Sequence, residues 1–401
     1  MMENGIAQQK FSQYICDAIE AVSFKLVKEV SDLESEDGFF HPDMSHQIFG
    51  EKEQIFGYSN LQIKIFYSAS FLYAYVKVSY TRKLNSKQCD GVEPDNIMLK
   101  LKDVLPSKFY TNIDDFSSIV QKEDTFRPYG HHINTYSRDA IGCSMPRQFE
   151  VYKADIHNPQ FRKYHNRMES FILWFIDAAS YIDVDDEKWD YYVLFEKCVR
   201  NGRTRHLFAG YCTCYRFYAY PDMCRPRISQ VLVLPPYQRQ GHCSTLISTI
   251  YQEYVPRKDV LDITAEDPSE NFQRVRDFVD AKNCITLKEF LPANLHGRFT
   301  KEMAASAKAK FKINKRQARR VYEILRLLNT NENNDVEFIK YRTVIKTRIN
   351  QPMRDLRRKC QMLMNNPSLL PPKEEQEKMV EREFEHHLEE YHRVINRLKS
   401  T

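Results

Sequence analysis

The stretch from Ile228 to Tyr254 constrains this chain most. An apolar, β-branched run from Val231 to Leu234 halts at Pro235-Pro236, and beyond a short polar loop Leu246, Ile247, Ile250 and Tyr254 recur at helical spacing. The order reads strand, loop, helix. Between the two lie Gln238, Arg239, Gln240, Gly241, His242 and Cys243, whose amides point out of a helix start, with Gly241 leaving room for close approach. A helix start of that kind binds phosphate. The same residues also suit an ordinary turn capped by Gly241.

Asp259 to Ser269 reads as the next strand, carrying Val260, Ile263 and Ala265 and ending in Glu266-Asp267-Pro268-Ser269. A helix then runs from Ser269 through Asn283, with Phe272, Val275, Phe278 and Val279 as its buried stripe. Open α/β sheets place their chemistry at the C-terminal ends of strands, so an acid pair there, beside a phosphate-binding helix start, points to catalysis. Capping of free amides by Asp267 or Ser269 is the structural alternative, and the two roles can coexist.

The order Gln/Arg-x-x-Gly-x-Gly/Ala, after a strand and opening a helix, resembles the acetyl-CoA loop of the GCN5-related N-acetyltransferase superfamily. With Asp259–Ser269 and the phrase Lys310–Leu328, the chain is similar to the type B histone acetyltransferase family. The resemblance spans residues 10 to 330 and is densest in 127 to 280. It implies an α+β fold with a mixed, mostly antiparallel sheet flanked by helices. Residues 1-126 become an N-terminal α+β domain that helps bind a histone tail, 127-283 the acetyltransferase core, and 284-401 a C-terminal helical region with a possible partner-binding α-hairpin.

It further implies acetyl-CoA as cosubstrate, with no metal. Val231, Leu232 and Val233 would hydrogen-bond the pantetheine, and the amides of Gln238 through Cys243, with Ser269, would hold the phosphates. A lysine side chain has a pKa of about 10.4, so its deprotonation at neutral pH costs about 4.6 kcal/mol and a base must stand near it. Glu266 is the expected base, directly or through a water, with Asp267 and Asp177 assisting. Acids gathered together raise one another's pKa and hold an arriving ammonium. Glu51, Lys52, Glu53, Trp189, Tyr215, Arg216 and Phe217 match the positions that face a histone tail.

Three departures stand out: Asp177 replaces Glu, Cys243 replaces Gly, and Lys52 stands where the family is acidic. The implied acceptor is the tail of free histone H4, at its fifth and twelfth positions, and the implied partner a WD-repeat retinoblastoma-binding-type histone chaperone, in cytoplasm and nucleus. A histone-binding module with little catalysis and an acyltransferase for a non-histone amine are the alternatives. His242 and Cys243 are adjacent at a helix start, which does not let them face each other as a nucleophilic pair.

With 59 Lys and Arg against 54 Asp and Glu, the net charge of +5 in 401 residues is too small to mark a polyanion binder. The basic start of Lys308 to Leu328 lacks a helix-turn-helix layout, so no direct nucleic-acid contact is expected, and the face reads as solvated or carboxylate-paired. Ten cysteines without Cys-x-x-Cys units argue against a zinc site or a disulfide framework. No apolar run reaches the length of a membrane span.

Along the chain, a first helix is expected on Phe11, Ile15, Ala18 and Ile19, and strands at Ser23–Val30 and Leu61–Tyr80. A helix from Phe161 to Ser180 follows, with Asp177 near its end, then an acidic turn Asp183–Glu187 and a hairpin at Asn201-Gly202. Cys212 and Cys214 share a strand face as core. The last 70 residues read as a helix from Val336 to Met364, kinked near Pro352, and a final helix striped with Val380, Phe384, Leu388, Tyr391, Ile395 and Leu398.

Overall fold

The computed structural model describes residues 12–85, 92–139, 145–200, 202–363 and 372–400. The chain falls into two compact units, Met1–Arg216 with Ile228–Thr249, and Phe217–Arg227 with Ile250–Thr401.

In the first unit, β1 (Val22–Val27) pairs in parallel with β2 (Gln62–Ser68), which pairs antiparallel with β3 (Ala74–Ser79). The single long strand expected over Leu61–Tyr80 is therefore two, turned at Leu72, whose φ is 58°. This sheet packs through aromatic rings, Phe24 lying 5.3 Å from Trp174 and Tyr67 4.3 Å from Phe171. The helix expected on Phe11 to Ile19 does not form. Phe11 lies outside the described residues, Ser12–Tyr14 is one turn of 3-10 helix, Ile15–Asp17 is a strand paired with Gln54–Phe56, and only Ala18–Ala21 is α-helical, capped by Asp17. Cross-strand partners override the local period here.

The larger sheet of this unit has the order β8-β7-β6-β5-β4, with β4 (His131–Arg138), β5 (Arg147–Ala154), β6 (Trp189–Arg200), β7 (Arg203–Ala219) and β8 (Met223–Val233). The β4–β5, β5–β6 and β6–β7 pairs are antiparallel. Cys212 and Cys214 are fully buried in β7, as expected. At Gly210 an added Cβ would stand 2.3 Å from the Leu232 carbonyl oxygen, so only glycine admits β8 this close.

The helix expected over Phe161–Ser180 breaks into α1 (Pro159–Glu169) and α2 (Ile172–Phe175), leaving Asp177 beyond both. The break has a local cause: Ser170 Oγ donates to the Arg167 carbonyl at 2.6 Å and meets Tyr67 Oη at 2.8 Å, fixing the residue where the ladder turns.

Strands β7 and β8 run on into the second unit as the hairpin Phe217–Arg227, in which Cys224 bridges Val260 in parallel, and the short strand β9 (Thr264–Ala265) follows β8 in the strand order. The strand expected over Asp259–Ser269 is thus regular only at Thr264–Ala265. Helices α3 (His242–Tyr254), α4 (Glu270–Cys284), α5 (Lys301–Phe311), α6 (Lys315–Leu328), α7 (Asp335–Ile349), α8 (Gln351–Leu363) and α9 (Lys373–Lys399) follow, α3 beginning in the first unit. Leu246, Ile247, Ile250 and Tyr254 are fully buried, the stripe read from sequence.

The basic phrase at 308–328 is two helices, because Lys312 turns left-handed at φ 56° and Asn314 caps α6 through the Gln317 amide at 3.0 Å. Its Arg320 pairs with buried Asp277 at 2.6 Å, the carboxylate pairing expected. The kink near Pro352 is present as the break at Asn350 between α7 and α8. Tyr391, Val394 and Ile395 of α9 are buried, and Tyr391 donates to Glu323 at 2.8 Å.

Candidate active site

The loop between β8 and α3 is a single turn of 3-10 helix, Pro235–Tyr237, then Gln238 to Gly241. Arg239 and Gly241 adopt φ of 59° and 82°. Among the described residues, the amides of Arg239, Gln240 and Gly241 donate no hydrogen bond, which leaves three N–H groups at a helix start for an anion. Gln238 and Gln240 turn their side chains back onto the Val233 and Pro236 carbonyls, at 2.9 and 3.1 Å. Cys243 stands in α3 with right-handed backbone, so its side chain brings no strain.

Arg138 braces the loop from β4, donating to the Gln240 carbonyl at 2.9 Å and to the Thr245 hydroxyl. His242 is buried, its Nδ1 2.7 Å from Tyr136 Oη and its ring 4.1 Å from that of Phe149. Burial, then Arg138 and Arg147, push His242 down to about 4, so it is a neutral strut rather than a base. Burial resists the charge on Glu196, but Arg147 grips both its oxygens, at 2.6 and 2.5 Å, and holds its carboxyl below the usual range. Tyr237 completes this floor by donating to Glu196 at 3.1 Å.

A second cluster of the first unit unites two residues singled out in the sequence. His46 stands between Glu53 and Asp177, its Nε2 3.4 Å from Asp177 and its Nδ1 3.9 Å from Glu53. Glu53, left-handed at φ 51°, turns its carboxylate back to the Ser45 amide. Glu51 and Lys52 are exposed on the same turn and form no ion pair among the described residues. The segment after Asp177 is tied down by two side-chain amides, Gln47 to the Ala179 carbonyl at 3.0 Å and Gln230 to that of Ser180 at 2.9 Å.

Trp189 and Tyr215 face each other across β6 and β7, ring centroids 4.9 Å apart. Tyr215 donates to Asp186 of the acidic turn at 2.7 Å, and that bond, with burial, pushes its hydroxyl up. Arg216 pairs with Asp190 at 3.3 Å.

In the second unit Glu266 and Asp267 follow β9 directly, both exposed. Asp267 adopts a φ of 28°. Glu266 meets Arg227 at 3.3 Å, and the Arg227 guanidinium lies 4.3 Å from the centre of the Phe217 ring. Ser269 caps α4 by accepting from the Phe272 amide at 3.3 Å.

Sequence reasoning missed Arg138, Gln230 and Arg227, and the pairing of His46 with Asp177. Each acts through a partner 30 or more positions away, as Arg138 on Gln240 and Arg227 on Glu266, so no local pattern marks it.

Two family models match, "Histone acetyl transferase HAT1 N-terminus" over residues 14–177 and "Histone acetyltransferase type B catalytic subunit, C-terminal" over 276–327. The rat (Rattus norvegicus) histone acetyltransferase type B catalytic subunit is 41% identical over 98% of this chain and 95% of its own. The Homo sapiens protein of that name gives the same three figures, and the Mycosarcoma maydis one is 31% identical over 88% of this chain and 83% of its own. Solved structures include an aminoglycoside acetyltransferase from an uncultured soil metagenomic sample, 16% identical, covering 30% of this chain and 78% of its own at a TM-score of 0.23. A ribosomal-protein-alanine N-acetyltransferase from Brucella melitensis covers 32% of this chain and 88% of its own, 12% identical, at 0.22. With identity of that order over nearly the whole of both chains, the protein belongs to the histone acetyltransferase type B catalytic subunit family.

Proposed function

We propose that the chain transfers acetyl from acetyl-CoA to lysines five and twelve of the tail of newly made histone H4, before chromatin assembly, in cytoplasm and nucleus. The observation that carries this reading is the loop in which Arg239, Gln240 and Gly241 present unspent amides at the start of α3, in a chain of this family. The residues there suit the cosubstrate: the amides of Arg239 through Cys243 bind its phosphates, that of Gln238 being spent on the Pro235 carbonyl at 3.2 Å, Val231 to Val233 bind its pantetheine, and Ser269 assists. When bound, acetyl-CoA supplies the thioester carbonyl that the lysine amine attacks directly.

The remaining roles belong to side chains. Glu266 takes the ammonium proton, directly or through a water, with Asp267 and Asp177 assisting and holding positive charge. Trp189, Tyr215, Arg216 and Phe217, with Glu51, Lys52 and Glu53, line the path of the tail. A WD-repeat retinoblastoma-binding-type chaperone presents the histone.

The Arg227–Glu266 pair favours a second reading, a histone-binding module of low turnover, since a guanidinium competes with the lysine for that carboxylate. Transfer of labelled acetyl-CoA to an H4 tail peptide separates the two. Turnover that falls roughly 10²- to 10⁴-fold in Glu266→Gln, with cofactor affinity kept, is expected. A wild type that binds both ligands without turnover would overturn the catalytic reading.

A further inference from the structure

Alternation along β5 and β6 gives the larger sheet two chemically different faces. Phe149 and Glu196 face the loop and His242, so their neighbours Glu150 and Lys197 face the other way. There they help to line a cleft of about 540 Å³ in the first unit, together with Arg127, Arg203, His132 and His206.

Glu150 is the cleft's buried anchor. It accepts from Lys197 at 2.7 Å and from Tyr152 at 2.8 Å, and meets His206 Nε2 at 3.0 Å. Burial opposes its charge, and these partners outweigh it and hold the carboxyl below the usual range. Arg203 pairs with Asp124 at 2.5 Å, and its side chain is 70% exposed. The third cation has no carboxylate: Arg127 donates only to the Asp124 and Phe126 carbonyls, at 3.0 and 2.6 Å, among the described residues. Three cations thus meet two carboxylates, and most N–H donors of Arg127, Arg203 and Lys197 remain unspent. His206 Nδ1, buried and without a hydrogen bond, marks the same wall as short of a partner.

We propose that this cleft binds a small multivalent oxyanion, a metabolite carrying two or more phosphate or carboxylate groups, at a site separate from the loop before α3. The volume suits a small molecule rather than a polypeptide. Forked guanidinium donors suit paired anionic oxygens.

The test titrates the full chain calorimetrically with pyrophosphate and with citrate, each in the presence of saturating coenzyme A so that the loop is filled. One-to-one binding that weakens with added salt is expected, with affinity lowered tenfold or more in Arg127→Gln and in Arg203→Gln. The stronger of the two probes identifies phosphate or carboxylate as the preferred group. No heat with either probe, or equal affinity in both variants and wild type, would overturn the proposal. Should Arg127→Gln unfold, the exposed Arg203→Gln alone decides.

Discussion

Glu169 ends α1 with Oε2 buried and without a hydrogen bond, 3.7 Å from Nδ1 of buried His165. Desolvation pushes this carboxyl up to about 7 and the imidazole down to about 4. For an acid whose folded pKa is raised, its share of stability is complete below the unfolded value and is lost as pH climbs from about 4.5 to about 7. Glu169→Gln removes that loss. Relative to wild type the variant should therefore gain about 3 kcal/mol at pH 8 over its standing at pH 4. Denaturant unfolding of both proteins at the two pH values measures this, and an unchanged gap would refute it. His165 works in the opposite sense, its stability falling away as pH drops from about 6.5 to about 4. Nothing in the sequence around Glu169 signals this, since a Glu at a helix end reads as solvated. Burial makes it costly, in a helix whose His165 ring lies 4.9 Å from that of Tyr191.

Among the elements, the strand–loop–helix from β8 to α3 was legible because its signals are local: a β-branched run, two prolines, a glycine, then a helical stripe. Its brace was not. Arg138 reaches the loop from β4, across 102 positions of sequence, and its two charge-assisted bonds hold the Gln240 carbonyl and Thr245. Arg138→Gln should raise the acetyl-CoA dissociation constant about tenfold or more and leave tail-peptide affinity unchanged, read by calorimetry with each ligand. Equal loss for both ligands would mean that Arg138 supports the unit at large. Helix boundaries show the same division. The break at Asn350 follows from Pro352, a local signal, whereas the break at Ser170 depends on Tyr67, which meets its hydroxyl from a distant strand.

On the scale of the whole chain, α9 is the last element and packs on α4, α6 and α7 of the second unit. Its Phe384, Tyr391, Val394 and Ile395 are buried, and Glu390 holds Arg274 at 2.9 Å. The apolar stripe read from the sequence thus packs inside the unit. At about 2 kcal/mol for each buried apolar side chain, deleting residues 372–401 removes roughly 8 kcal/mol, comparable to the stability of a domain. The truncated chain should lose far more helical circular dichroism than the 27 residues of α9 account for, and residues after Thr249 should become protease-sensitive. Unaltered melting would show α9 to be an appendage.

By itself the sequence determined the elements whose cues lie within a few residues: the loop before α3, the acid pair after β9, the stripes of α3 and α9, and membership of a family through ordered motifs. Chemistry that depends on residues far apart was decided by the tertiary structure. Pairing set His46 between Glu53 and Asp177, placed Arg227 on Glu266, and turned Glu150 and Lys197 to the sheet face away from the loop. The physical reason is that backbone propensity acts over a turn or a strand. Charge pairing, desolvation and the choice of face depend on which distant segments the core brings together.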